Sequence, residues 1–208
     1  SSQSVVDASV QRTVTNYFAS NIGKFAQTFR RSNLLTEVDN TDPSVLSSRT
    51  DVLLQKRIIP VLTLPENQKF TFGSALKNPE ELTTPVVSTG FFKYQNQDVY
   101  IRNKLLDKFK VSGEGVVPVV FDRKPSNKLE MVNTKGVVVE DYMGYYEPLT
   151  GAVEILNLNV QSTNNQSNYI KVFGSPANES AIIPRFSGIL KYDASESSVN
   201  AVTVTSRV

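Results

Sequence analysis

Residues 137–160 read VVVEDYMGYYEPLTGAVEILNLNV, and this stretch decides the fold of the chain. It begins with three valines and continues into Tyr145 and Tyr146, which are residue types that favour strands. Residues 147–151 then place proline at the second position of a turn and glycine where a positive φ is typical. Residues 152–160 alternate apolar and polar side chains over most of their length, as a second strand does. The stretch therefore predicts an antiparallel hairpin.

The strand period extends from about residue 60 to residue 208, on both sides of this hairpin. Residues 95–98 are polar and predict a second hairpin loop, whereas Pro118 restricts the run around it to a sheet edge or a bulge. Further strands are predicted at residues 70–72, 87–94, 99–102, 116–121, 169–173, 189–192 and 202–205. Because no helices alternate with these strands, we expect an antiparallel sheet of eight or more strands. A candidate division into two subdomains falls near residues 110–125.

Residues 1–59 have the period of helices instead. Six apolar residues fall close to one face of a first helix: Val10, Val14, Tyr17, Phe18, Phe25 and Phe29. Gly23 interrupts this run and is expected to kink or divide it. Arg30 and Arg31 then place positive charge at the end of the helix, where it complements the helix dipole.

A second helix is predicted between Asp42 and Pro60. Asp42 is suited to cap the free backbone amides, and Pro43 suits the first turn because its missing donor is not needed there. The apolar residues within 45–56 follow at helical spacing, and Pro60 disfavours helical geometry in the residue before it. Taken with the strands, these helices predict an α+β fold in which N-terminal helices precede a mainly antiparallel β-sheet region.

The composition excludes several classes of enzyme. The 208 residues contain no cysteine and no histidine, so neither a Ser-His-Asp nor a Cys-His nucleophile can form. The formal net charge is only +2, which does not indicate a nucleic-acid surface, and no stretch has the length and apolarity needed for membrane insertion. We therefore expect no catalysis, no cofactor and no small-molecule substrate.

Carboxylates give the remaining candidates for catalytic chemistry. The adjacent pairs Glu80-Glu81 and Glu140-Asp141, together with Glu114, are candidates for a glycosidase, which needs two facing carboxyl groups. Neighbouring residues on a strand point to opposite faces, so solvated surface charges are the favoured interpretation.

A second acidic cluster, formed by Glu37, Asp39 and Asp42, has the residue types of a calcium site. It lacks the glycine at the sixth position and the glutamate at the twelfth position of a calcium-binding loop. Helix capping is the favoured interpretation of Asp42, and no metal site is predicted.

Aromatic residues supply the candidate contact surfaces. The first surface lies on and just after the N-terminal helix and comprises Phe18, Phe25, Phe29, Arg30 and Arg31. Its phenylalanines have two interpretations: they pack on the β region, or they bury against another chain, since an amphipathic helix is a ready means of pairing.

The second and weaker candidate surface is formed by Tyr145 and Tyr146. Tyrosine is common in strands and is enriched as an anchor at protein interfaces. A platform for sugar binding is a third interpretation of these rings. The sequence leaves the three alternatives open.

The segment FRRSNLLTEVD at residues 29–39, continued by DPSVLSSR at 42–49 and LQKR at 54–57, carries a resemblance to a known family. It resembles the C-terminal part of the large baseplate wedge proteins of T-even-type contractile-tailed phages, within the J-like baseplate family. Residues 15–25 fit the same pattern, and residues 101–105 fit it more loosely. The resemblance implies a structural protein of the virion tail baseplate, assembled in the host cytoplasm, and a chain that is a fragment of a longer protein.

The same resemblance implies the partners. Members of the family form homodimers, join other baseplate wedge proteins, and link wedges into a ring around the tail tube. The alternative function is a receptor- or glycan-binding β domain carried on a helical stem, for which Tyr145 is the candidate residue. A carboxylate glycosidase is the third class.

Overall fold

The chain folds as two compact units. The structure is a computed structural model, and it describes residues 2–24, 27–80, 84–105, 125–164, 167–184 and 189–199. The first unit combines Ser1–Val52 with Asn178–Val208, and the second unit is Leu53–Ala177. The change from helical to strand period in the sequence predicts a boundary near residue 59. The second candidate division, near 110–125, falls largely on residues 106–124, which lie outside the described residues.

The described residues contain helices near the N-terminus and strands over most of the remaining length. The helices are α1 (Gln3–Asn21) and α2 (Arg31–Asp39), and Ala194–Glu196 forms a single 3₁₀ turn. The strands are β1 (Phe29–Arg30), β2 (Leu54–Ile58), β3 (Glu66–Thr71), β4 (Val87–Thr89), β5 (Phe92–Tyr94), β6 (Gln97–Asn103), β7 (Lys128–Asn133), β8 (Val138–Glu147), β9 (Ala152–Leu158), β10 (Ser162–Thr163), β11 (Ile170–Gly174) and β12 (Ala181–Ile182). The predicted α+β class is confirmed. Among the described residues, neither α-helix combines the length and apolarity that crossing a membrane requires.

In the described part of the first unit, α1, α2 and a short strand pair carry the buried apolar side chains. Val6, Val10 and Tyr17 form the buried face of α1, and Leu34 and Val38 form that of α2. The strands β1 and β12 pair antiparallel, with Phe29 opposite Ile182. α1 ends at Asn21, two residues before Gly23, whose φ of 102° confirms that the helical run is interrupted there.

The described residues of the second unit form one antiparallel sheet of ten strands. Eight of them follow the order β2-β11-β4-β6-β7-β8-β9-β3, and β5 pairs with both β6 and β10. The hairpin predicted over residues 137–160 is confirmed as β8 and β9, with Tyr145 opposite Glu154 and Tyr146 opposite Val153. The turn between them ends at Gly151, whose φ is 68°. The hairpin predicted around residues 95–98 is also confirmed, but its turn consists of Gln95 and Asn96 alone, because Gln97 and Asp98 already belong to β6.

The inward side chains of this sheet form the main core. Its largest completely buried members are Phe92, Ile101, Leu129, Met131, Tyr146, Ile155 and Leu158. They come from β5 through β9. Burial of apolar side chains on one sheet face is the main source of stability in such a fold.

The predicted second helix at residues 42–60 is wrong. Residues 43–53 contain no helix, and β2 begins at Leu54. The Asp42 carboxylate accepts hydrogen bonds from the backbone amide of Ser44 at 2.8 Å and from its hydroxyl at 2.6 Å. Asp42 therefore forms an Asx turn rather than a helix cap. The side chains of the serines and the threonine that follow can also bind the backbone, and such hydrogen bonds compete with those of a helix.

Arg30 and Arg31 also lie elsewhere than expected. They were predicted at the C-terminal end of the first helix, but Arg30 belongs to β1 and Arg31 is the first residue of α2. The backbone amide of Arg31 donates to the carbonyl of Ser180 at 2.9 Å. This hydrogen bond, made to a residue nearly 150 positions away, ends the extended segment and starts the helix.

The strand predicted at residues 189–192 is wrong, because these residues have no strand pairing in the structure. The ring of Tyr192 stacks on Phe18, and Asp193 accepts from the backbone amide of Ser195 to form a turn. The strands predicted at 116–121 and 202–205 lie outside the described residues.

Candidate interaction surfaces

An aromatic cluster joins α1 to the chain segments beside it in the first unit. The ring of Phe18 stacks on Tyr192 with a centroid distance of 4.3 Å and on Phe29 with a centroid distance of 5.6 Å. Tyr17 meets Phe29 edge-on, and its hydroxyl donates to the carbonyl of Arg30 at 3.3 Å. The side chains of Phe18 and Phe29 therefore pack within this unit.

Exposure divides this cluster into an inner and an outer part. Phe29 and Tyr17 are buried, whereas Phe18 and Tyr192 are only partly buried and form the outer side. Burial raises the pKa of Tyr17, and the negative charge of Glu37 raises it further. Phe25, the remaining aromatic residue of the predicted surface, lies outside the described residues.

The two arginines of the predicted surface have different environments. Arg30 is exposed on β1. Arg31 is partly buried, and its guanidinium donates to Glu179 at 3.1 Å and to the carbonyl of Thr50 at 3.4 Å. Arg30 is therefore the arginine that is accessible to a partner, and Arg31 ties the start of α2 to two other segments of its own unit.

Tyr145 and Tyr146 lie on opposite faces of β8. Tyr145 is 40% exposed, and its hydroxyl donates to the Glu154 carboxylate at 2.9 Å. This hydrogen bond raises the pKa of Tyr145. Tyr146 is completely buried and donates to the carbonyl of Lys77 at 3.2 Å, and its burial raises its pKa. Only Tyr145 is accessible on the surface, because side chains alternate along a strand.

Among the candidate carboxylates that the structure describes, Glu140 and Asp141 bind different partners. Glu140 accepts from the hydroxyl of Tyr94 at 2.8 Å, while Asp141 pairs with the ammonium of Lys104 at 2.8 Å. The hydrogen bond to Glu140 raises the pKa of Tyr94. Glu80 is exposed on a loop, and Glu81 and Glu114 lie outside the described residues. Within the described part of the chain, no group of three or more carboxylates is arranged to hold a metal ion.

The loop between β2 and β3 is a surface that the sequence analysis did not identify. Four large apolar side chains there are between 50% and 64% exposed: Ile59, Val61, Leu62 and Leu64. The stretch IIPVLTLP at residues 58–65 carries the signal, since its apolar residues follow neither the helical nor the strand period. These residues lie on both sides of Pro60, which was predicted to end a helix, so no surface was predicted there.

A comparison with protein families finds a match over the N-terminal quarter of the chain. Residues 1–57 match the family model described as baseplate structural protein gp6, C-terminal domain III. The match covers α1, β1 and α2 and ends within β2. It confirms the resemblance to baseplate wedge proteins over this part of the chain. A search of curated proteins finds no match.

Proposed function

We propose that the chain is a structural component of a phage tail baseplate wedge. In this role it makes homodimer contacts and inter-wedge contacts in the ring around the tail tube. Its partners are a second copy of itself and other baseplate wedge proteins, and its location is the tail baseplate of the virion after assembly in the host cytoplasm. The observation that carries the proposal is the family match over residues 1–57.

The residues of the first unit support a contact between copies. Phe18 and Tyr192 present the partly exposed side of an aromatic stack, and Arg30 is exposed close by in the chain, one residue beyond Phe29. Aromatic residues and arginine are the types most enriched in the energetic centres of protein interfaces. A two-fold contact is self-complementary, so one such patch serves both partners.

The packing beneath the patch also supports this proposal. Phe29 lies under Phe18, and the hydroxyl of Tyr17 is anchored on the backbone of Arg30. The outer rings are therefore held in position before a partner arrives. A preorganised surface loses less side-chain entropy on association than a flexible one does.

Replacing Phe18 by aspartate is expected to weaken self-association by about 100-fold, because truncation of a central aromatic anchor commonly costs about 2–3 kcal/mol. The new charge would also have to be desolvated in the contact. The measurement is the mass of the purified chain by light scattering over a range of concentrations, with the circular dichroism spectrum as the check on folding.

Two variants serve as controls for this experiment. Ala8→Asp adds the same charge at an exposed position of the same helix and should leave the mass unchanged. Phe18→Leu keeps the site apolar and should lose less affinity than Phe18→Asp does. A parent chain that is monomeric at every concentration, or a Phe18→Asp variant that associates like the parent, would contradict the proposed contact.

A further inference from the structure

The chain passes between the two units twice. The outgoing connection runs from Val52 to Leu53, and the returning connection runs from Ala177 to Asn178. The second unit is therefore inserted into the first, and two chain connections join the units rather than one. Any change in the angle between the units has to bend both connections together.

On the side of the second unit, the two connections continue as neighbouring antiparallel strands. β2 begins at Leu54 and β11 ends at Gly174, and these two residues lie opposite each other in the register. The backbone amide of Ala177 donates to the carbonyl of Ala75 at 2.9 Å. The returning chain is thus held to the second unit up to the last residue of that unit.

On the side of the first unit, Arg31 contacts both connections. Its Nη1 donates to the carbonyl of Thr50 at 3.4 Å and to the carboxylate of Glu179 at 3.1 Å. Thr50 lies two residues before the end of the outgoing segment, and Glu179 directly follows Asn178. The backbone amide of Arg31 also donates to the carbonyl of Ser180 at 2.9 Å. One residue therefore ties the two chains together where they leave the first unit.

The partial burial of these groups makes the ion pair effective. The side chains of Arg31 and Glu179 are 32% and 28% exposed, and hydrogen bonds between charged groups are stronger where water is partly excluded. A second ion pair on the outgoing connection, between Arg49 and Asp51, has side chains that are 87% and 73% exposed. Such an exposed pair contributes little. Of these two ion pairs, the one made by Arg31 is suited to hold the connections.

Few residues lie between the points at which the connections are fixed. On the outgoing connection they are residues 51–53. On the returning connection it is the peptide bond between Ala177 and Asn178, because the Asn178 side chain accepts from the backbone amides of Ser180 and Ala181 at 2.9 and 3.3 Å. Hinges consist of a few such residues between fixed elements, which absorb the change in φ and ψ. The double connection has this form.

We propose that Arg31 is a clamp on a two-chain hinge between the units. While Arg31 binds Thr50 and Glu179, the two connections move as one and restrict the range of angles between the units. When these contacts are lost, the outgoing connection is released from the returning one and the range widens. The inference goes beyond the proposed function and does not depend on it, because it concerns a single chain.

The distance between two labels, one in each unit, measures this range. The chain contains no cysteine, so Ala8→Cys and Thr134→Cys, both at exposed positions, place one spin label in each unit of the whole chain. We expect Arg31→Ala to broaden the distribution of label distances measured by pulsed electron spin resonance. An excess of unlabelled chain ensures that the measured distances lie within one copy.

Two variants and a second pair of labels serve as controls. Arg49→Ala removes an exposed arginine from the same outgoing connection and should leave the distribution unchanged. Glu179→Gln should broaden it less than Arg31→Ala does, because the amide oxygen still accepts a hydrogen bond. Labels at Ala8→Cys and Asn33→Cys both lie in the first unit and should keep their distribution in every variant.

Hydrogen exchange gives a second readout of the clamp. In Arg31→Ala, the backbone amides of residues 31, 180 and 181 are expected to lose about tenfold of their protection, the factor that corresponds to one hydrogen bond with a charged group. The amides of β2 and β11 should keep their protection, because the contacts of Arg31 lie within the first unit. Arg49→Ala should change neither set.

The outcomes separate the clamp from a purely local role of Arg31. An unchanged distance distribution between the units in Arg31→Ala would overturn the inference. Equal broadening in Arg49→Ala, or between the two labels of the first unit, would overturn it as well. If Arg31→Ala behaves as expected but light scattering finds the parent chain monomeric at every concentration, the homodimer part of the proposed function fails while this inference stands.

Discussion

Replacing Arg102 by alanine is expected to lower the free energy of unfolding by about 3–5 kcal/mol, the cost of removing one partner of a buried ion pair. The Nε of Arg102 donates to the Glu130 carboxylate at 3.1 Å. The side chain of Arg102 is 17% exposed and that of Glu130 is 3% exposed, so water cannot replace the lost guanidinium. The pair lies across β6 and β7, in the middle of the sheet. Urea unfolding followed by circular dichroism measures the loss.

A second ion pair of the same unit provides the control. Lys104 pairs with Asp141 at 2.8 Å, but the Asp141 side chain is 64% exposed. Lys104→Ala should therefore cost at most about 1 kcal/mol, because water solvates the remaining carboxylate. The double variant Arg102→Met with Glu130→Leu should recover most of the stability that Arg102→Ala loses, since it leaves no buried charge. If Arg102→Ala costs no more than Lys104→Ala does, Glu130 is solvated and the pair is not structural.

The sequence predicted the parts of the fold that neighbouring residues determine. The β8–β9 hairpin has strand-forming residues on both sides of a turn whose Gly151 adopts the required positive φ. The turn at Gln95 and Asn96 has φ values of 46° and 62°, as the tight turn of a two-residue hairpin loop requires. In both cases, the information that fixes the structure lies within about ten residues.

The errors fall where distant residues decide the structure. The apolar spacing of residues 45–56 fits a helix, but Leu54–Ile58 pairs with Ile170–Gly174, which lies more than 100 positions further along the chain. Strand β7 was not predicted from the sequence, for a related reason. Its four residues 129–132 are all buried, and Glu130 interrupts the apolar run. The burial of Glu130 is explained by Arg102, which lies opposite it on the neighbouring strand β6.

For the candidate interaction surfaces, too, the sequence predicted local features but not the contacts between distant residues. The sequence identified Phe18 and Phe29 on the N-terminal segment, but not the contact of Phe18 with Tyr192, which lies more than 160 positions further along the chain. It grouped Tyr145 with Tyr146, although the alternation of side chains along a strand already places them on opposite faces. The exposure of Leu62 could not be predicted from the sequence. Whether an apolar side chain in a loop is buried depends on how residues distant in the chain pack around it.

Replacing Gly144 by alanine is expected to destabilise the second unit by about 3 kcal/mol or more. Gly144 lies in β8 with a φ of 118°, a backbone conformation that residues with a Cβ rarely adopt. A Cβ at this position would lie 2.9 Å from the carbonyl carbon of Glu154 and closer still to its oxygen. These atoms belong to the backbone of the paired strand β9, so relief requires a shift of the strand itself. Urea unfolding again gives the free-energy difference.

The variant Gly136→Ala separates the cost of a strained φ from the cost of the collision with the neighbouring strand. Gly136 has a φ of 77°, and a Cβ added there would meet no atom within 4 Å. Gly136→Ala should therefore cost only the conformational strain, about 1 kcal/mol. The excess cost at Gly144 then measures the collision with Glu154, which exists only if β8 and β9 pair in the register that places Gly144 opposite Ile155. Equal costs for the two variants would show that the strands do not approach each other in this way, and would contradict the register of the hairpin on which the fold is built.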